Sequence, residues 1–239
     1  MKHSIYILFL FVCIASNAQT NVLQRIPDID STFSAELTGE FFFESKQYIG
    51  EQYFNNDWWD GDVLLSSGQR VNGKLLKYNG LFDELIWLNN SNYGKFKLDK
   101  LSVDEFWMRK KTGDTIHFKR INVGDTTSIH RMGIYTEVMV TGTLSLCIQR
   151  KISAVGYEDE YKNKVLGRYY NLKSKPLYYI KLPENQYLLI NKLSNTSFLK
   201  LFPDKKDALS KIIRDNHFNA KNENEFVKLI ELINREGVF

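Results

Sequence analysis

Val71-Asn72-Gly73-Lys74-Leu75-Leu76-Lys77-Tyr78-Asn79-Gly80 is the stretch whose reading decides the fold. Turn chemistry brackets it, with Ser66-Ser67-Gly68-Gln69 before it and Asn79-Gly80 at its end, the residue types that tight reversals need. Upstream, Val63 and Leu65 share one face, because side chains alternate along a strand. Downstream, 81–88 reads as a third strand. The turn-rich Asn89 to Gly94 then leads to Lys95-Phe96-Lys97-Leu98, whose apolar residues alternate. Reversals this close together leave no room for the helical crossover that parallel strands require. The pattern therefore predicts an antiparallel meander.

The same style continues outward. Ile116 to Arg120, Glu137 to Val140 and Thr143 to Arg150 read as strands, with Gly142 at the reversal between the last two. Leu177 to Leu182 and Gln186 to Ile190 predict a closing hairpin around Pro183-Glu184-Asn185. The segment 156–175 is charged and tyrosine-rich, and it reads either as a long loop or as a pair of irregular strands.

After Lys192 the hydrophobic period becomes helical. Phe198, Leu201 and Phe202 share a face. Asp204 reads as the cap of a helix striped by Leu209, Ile212 and Ile213, with His217 at its exit. Asn222 to Glu225 has capping-box spacing ahead of Phe226, Leu229, Ile230 and Ile233, and Gly237 ends that run. Helices this short must dock on something. The expected fold class is α+β, mainly β: an antiparallel sheet (meander, half-barrel or roll) over 39–192. The C-terminal helices of 193–239 pack on it, and an extended segment, 19–38, precedes it.

The chain begins with the layout of a secretory signal peptide, 1–18. Lys2 and His3 precede an apolar run from Ile5 to Ala15, and Ser16-Asn17-Ala18 offers the small residues of a cleavage site, so the mature chain is expected to start at Gln19. That run is too short to span a bilayer, and no second one approaches the length. Val12 is too bulky to precede a lipidated Cys13, which leaves Cys147 as the single thiol of the mature chain and excludes an internal disulfide. Its aromatic residues supply the cohesion instead. The net charge of +4 is spread as interleaved acids and bases, which argues against a nucleic-acid partner.

Chemistry-bearing residues are few. In Asn55-Asn56-Asp57-Trp58-Trp59-Asp60-Gly61-Asp62, indoles beside carboxylates suggest a sugar platform built from Trp58, Trp59, Asp57 and Asp60. The same acids lack EF-hand spacing for calcium, and the prosaic alternative is one indole packed under the first hairpin. Glu158-Asp159-Glu160 offers paired carboxylates, but a solvated loop has the same composition. His117, His130 and His217 show no metal-pair spacing, and Cys147 lacks the flanks of a nucleophile. No G-x-S-x-G, phosphate loop or HExxH occurs. The reading is of a non-enzyme without cofactor or metal.

Several segments resemble a recurrent pattern in uncharacterised secreted proteins of Bacteroidota bacteria. They are Gly50 to Phe54, Trp59 to Val63, Leu75 to Asn79 and Asp83 to Leu85, then Val103 to Phe106, Tyr135 to Val138 with Gly142 and Leu144 to Leu146, and the tail from Phe202 to Asn234. The exit Ser16-Asn17-Ala18-Gln19 is similar to the leaders of those proteins. The resemblance implies export but no activity. It also implies O-glycosylation at Asp-Ser/Thr signals, with Ser31 and Thr126 as the better sites and Thr115 at a strand edge. The expected function is that of an exported, soluble, non-catalytic accessory protein of the cell envelope, periplasmic, outer-membrane-associated or extracellular. It binds an envelope protein or other envelope component through Trp58, Trp59, Asp57, Asp60, Tyr157 or Tyr161. Two alternatives are a half-barrel for a small hydrophobic ligand, and a carbohydrate-binding or carbohydrate-active protein using Trp58, Trp59 and nearby acids including Glu158.

Overall fold

The computed structural model describes residues 37–45, 47–124, 132–162 and 165–239. The expectations for the leader, Ser31, Thr126 and His130 lie outside them. The architecture is mainly β, with one large antiparallel sheet and C-terminal helices, as the period-two pattern implied. Its strands are β1 (Gly39–Phe41), β3 (Trp59–Leu65), β4 (Arg70–Asn79), β5 (Glu84–Leu88), β6 (Lys95–Leu98) and β7 (Val103–Arg109). They continue with β8 (Thr115–Ile121), β9 (Ile134–Val140), β10 (Ser145–Gln149), β13 (Leu177–Lys181) and β14 (Tyr187–Ile190). The spatial order is β1-β6-β5-β4-β3-β7-β8-β9-β10-β13-β14.

The meander therefore runs in both directions from β3. β4, β5 and β6 step away on one side, and the chain then returns so that β7 pairs with the other edge of β3, Val63 opposite Phe106. Gly61 sits at this crossing, where a Cβ would overlap the Trp107 carbonyl and the Leu76 side chain. The third strand is shorter than its composition suggests, because Gly80 to Asp83 form a turn and Asp83 takes a left-handed φ of 58°.

The sheet curls without closing into a barrel. Its concave side holds an aromatic core of Tyr78, Phe106, Phe118 and Tyr135, all fully buried. Phe106 stacks on Phe118 at 4.8 Å, and Tyr135 meets Phe106 edge-on at 5.1 Å. Each ring hides on the order of 150–250 Å² of surface, so four in contact give this half its cohesion. A turn, rather than a ladder, joins the curl across its seam. The Gly80 carbonyl accepts from the Ile152 N–H at 2.9 Å, and Gly80 approaches the Arg150 carbonyl so closely that a Cβ would overlap it.

The helices are α1 (Asn195–Lys200), α2 (Lys206–Asp215) and α3 (Glu223–Glu236). Their stripes of Phe198, Leu209, Ile213, Phe226, Leu229, Ile230 and Ile233 pack with Val140, Leu144, Leu146 and Ile180 in a second core. Asn222 caps α3, accepting the Glu225 N–H at 2.9 Å, and Gly237 ends it at a φ of 63°. Asp204 is no cap. It lies in a 3-10 turn, Pro203–Lys205, that runs directly into α2, so the first helical N–H groups there have no side-chain acceptor.

The segment that composition left open is a regular hairpin. β11 (Ile152–Lys162) pairs with β12 (Val165–Ser174) from Ile152↔Ser174 to Lys162↔Val165, with a bulge between Ala154 and Gly156. The short β2 (Tyr48–Ile49) adds in parallel to β12. The hairpin leaves the main sheet as an arm.

Candidate functional site

Of the residues singled out for a sugar platform, both indoles are partly covered and both carboxylates, Asp57 and Asp60, are exposed. Trp59 is half-buried and meets Phe54 edge-on at 6.1 Å, beside the first core. Trp58 is also half-buried, and Lys77 Nζ lies over its ring at 4.9 Å and over the Tyr53 ring at 4.7 Å. The Lys77 ammonium donates to the Asn56 carbonyl and is itself buried; burial pulls its pKa down. Asp57 pairs with Lys111 at 2.9 Å, and Asp60 takes two hydrogen bonds from Arg109 at 2.7 and 2.9 Å. Glu158 lies on the arm, where Asn171 Nδ2 donates to it at 2.9 Å.

Strand alternation sends Asp60, Asp62, Trp107, His117 and Glu105 to the convex face, opposite the aromatic core. There they form a ladder of charge and rings. Arg109 and Arg70 both donate to Asp62, Arg70 covers Trp107 at 4.3 Å, and Trp107 stacks on His117 at 4.7 Å. Glu105 accepts from His117 and Lys119 at 2.8 and 2.7 Å. Each titratable group in this ladder has its own partner, and the face reads as a finished surface. Among the described residues no group of three or more His, Cys, Asp or Glu side chains is placed to hold a metal ion. Cys147 is buried with Ile121, Ile134 and Tyr179, and burial raises its thiol to about 11.

Two features stand out instead. The first is the arm. One of its faces carries Tyr161 and Leu166 near the tip, then Tyr157 with Arg168 over its ring at 4.1 Å, then Tyr170. Tyr48 follows at 6.2 Å from Tyr170, and Phe82 at 6.0 Å from Tyr48. Tyr161 is 69% exposed, Leu166 67% and Tyr157 56%. On the opposite face the Tyr169 ring covers Gly167, and Glu158 meets Asn171. Beyond Ile152, the outer edge of β11 has no ladder partner among the described residues.

The second is a cavity of about 680 Å³ on the seam of the curl, between the β4–β5 turn, the end of β6 and the start of β9. Asp83 stands in its wall. Its carboxylate accepts from Tyr78 Oη at 2.6 Å and from the Tyr135 N–H at 3.2 Å, and it pairs with Lys100. Burial pushes the Asp83 carboxyl up, opposed by Lys100 and by those hydrogen bonds. The strained turn thus delivers one carboxylate that ties together β4, the 3-10 turn between β6 and β7, and β9.

Sequence reasoning picked out Tyr157 and Tyr161, which the structure brings to one face, and missed Arg168, Tyr170, Tyr48 and Phe82 beside them. It also missed Asp83, whose only signal is a short acidic turn after a strand. Among the described residues no helix is long and apolar enough to cross a membrane. No family model, curated protein or solved structure matches this chain.

Proposed function

We propose that this chain is an exported, soluble, non-catalytic binding protein of the cell envelope, like the secreted Bacteroidota proteins it resembles, and that it presents the β11–β12 arm to a protein partner. The observation carrying this reading is the aromatic stripe that runs from Tyr161, Tyr157 and Tyr170 on the exposed hairpin across Tyr48 on β2 to Phe82 in the β4–β5 turn. A two-stranded ribbon is marginal in water, and contiguous exposed apolar surface marks an interaction site. The unpaired β11 edge adds main-chain groups that an extended segment of a partner satisfies.

A protein suits this stripe better than a glycan. Sugar rings stack on open, flat faces, whereas neighbouring rings here are inclined by 43° to 68° and Arg168 occupies one face of Tyr157. Lys77 likewise takes one face of Trp58.

The test is a photo-crosslinking amino acid placed at Tyr161 in cells, with the same label at Lys211 on α2 as control. The expected result is one discrete crosslinked protein from the arm, absent from the control and lost in a Tyr157→Ser/Leu166→Ser background. No crosslink, or the same products from both positions, overturns the reading. Export is checked on the same material, since an intact Met1 contradicts it.

A further inference from the structure

β1 is the first strand of the large sheet in space, and its outer side has no ladder partner among the described residues. Hydrogen bonding fixes which of its main-chain groups are left open. The Phe42 N–H donates inward to the Lys95 carbonyl at 2.8 Å, which carries the pairing with β6 one residue past the strand. In an antiparallel ladder, residues facing the neighbour alternate with residues facing away. Glu40 and Phe42 therefore turn their N–H and C=O groups toward β6, and Phe41 and Phe43 turn theirs outward.

The side chains of those two residues continue a row of rings that begins in the first core. Trp87 and Phe96 are buried and lie 5.4 Å apart. Phe41 meets Phe96 at 4.7 Å and is 60% exposed, and Phe43 stacks on Phe41 at 6.5 Å and is 84% exposed. The row thus runs from the interior into solvent along an open sheet edge, the combination that natural sheets normally guard against. Its charges are answered locally: Glu40 holds Lys97 at 3.1 Å, and Glu44 holds Lys95 at 2.8 Å.

We propose that this edge pairs with the same edge of a second copy of the chain, antiparallel about a two-fold axis at Phe42, so that the sheet continues from one molecule into the other. In that register the open groups of Phe41 meet those of Phe43 of the second copy, and the reverse, while the exposed rings of both copies join in one cluster. Glu40 comes opposite Glu44 of the second copy. Like charges across a ladder repel, but each of these carboxylates already holds a lysine, so the facing surfaces are neutral. The edge is in this way complementary to itself in hydrogen bonding, in rings and in charge, as an isologous contact requires. A charged partner has nothing to select, because no acid or base of the edge lacks its counter-ion. Each molecule uses the edge once, so the assembly closes at two. The contact is short, and the dimer forms with a dissociation constant in the roughly micromolar range. The proposal does not depend on the arm or on its partner.

The test is sedimentation of the purified chain across about 1–200 μM, the span over which a micromolar constant is read. A monomer–dimer equilibrium is expected, and Phe43→Lys should weaken it roughly tenfold or more, since it removes a ring and sets two cations face to face. Thermal melting of that variant should be unchanged, because Phe43 touches the fold only through Phe41. The register is read from Phe42→Cys. At the two-fold centre this residue faces its own copy in a non-hydrogen-bonded pair, with Cβ atoms about 4.5–5.5 Å apart, so mild oxidation should give a reducible dimer. The unsubstituted chain, and Leu189→Cys on β14 at the other end of the sheet, should give none. A chain that stays monomeric throughout, including one that binds lipid vesicles instead, overturns the proposal. So does a dimer unaffected by Phe43→Lys, or one that links through Leu189→Cys and not through Phe42→Cys.

Discussion

Asn234 of α3 answers both backbone groups of Leu144. Its Oδ1 accepts the Leu144 N–H at 2.8 Å, and its Nδ2 donates to the Leu144 carbonyl at 2.8 Å. A side-chain amide thus plays the part of a neighbouring strand at the β9–β10 turn and fastens the last helix to the sheet. Gly142 makes room for it, since a Cβ there would overlap the amide. Leu144 is fully buried, so removing the amide strands a buried donor and acceptor. Asn234→Ala should cost about 2–4 kcal/mol, read from the denaturant midpoint at unchanged slope. Gly142→Ala should be destabilising too, by displacing the same amide.

Arg150 makes the second fastening. It bridges Glu137 on β9 to Glu223 on the first turn of α3, donating to Glu223 at 2.7 and 2.8 Å. Arg150→Met leaves the buried Glu137 carboxylate without its cation and should cost about 3–5 kcal/mol. The triple replacement Arg150→Met, Glu137→Gln, Glu223→Gln should recover much of that loss, because it removes the stranded charges as well. Equal stability of the single and triple variants would show that the charges themselves do not matter.

Acid should weaken the protein through Asp62. Burial alone would raise this carboxyl, but hydrogen bonds from Arg109, the Gly73 N–H and Arg70 outweigh it and hold the group at about 2. A carboxyl depressed in the folded state contributes stability that is complete above its unfolded pKa, near 3.8, and is lost as pH falls toward 2. The contribution is about 2 kcal/mol. Asp62→Asn should therefore lower stability at neutral pH and flatten its decline between those two values, measured by urea unfolding across the acid range.

Cys147 should be inert while the protein is folded. Its thiol is buried and its pKa is lifted to about 11, so at pH 8 the reactive thiolate is scarce as well as inaccessible. Iodoacetamide should leave the native chain unmodified and label it fully in denaturant. Rapid native labelling, followed by mass spectrometry, would contradict this burial.

The large sheet was legible in the sequence because one of its faces is buried, which imposes strict alternation, and because Asn79-Gly80 and Gly142 lie at its reversals. The return of β7 to β3 was not legible. Any of several half-buried strands can pair with β3, and the choice depends on packing among Tyr78, Phe106 and Phe118, which lie far apart in sequence. The arm was hidden for the opposite reason. With both faces in solvent, Tyr157, Glu158 and Asp159 show no apolar period even though the strands are regular. Asn222 capped its helix as its spacing implied, whereas Pro203 drew Asp204 into a 3-10 turn. The cavity arises only when the curl brings the β4–β5 turn to Gln149, so no local pattern could announce it.

β9 carries Tyr135 into the aromatic core and Val140 into the helix-covered one. Because a single hydrogen-bonded ladder threads both, the molecule offers no natural place to be divided. A fragment ending anywhere between β7 and β10 would bare a fresh strand margin to solvent, an invitation to fibre-like association.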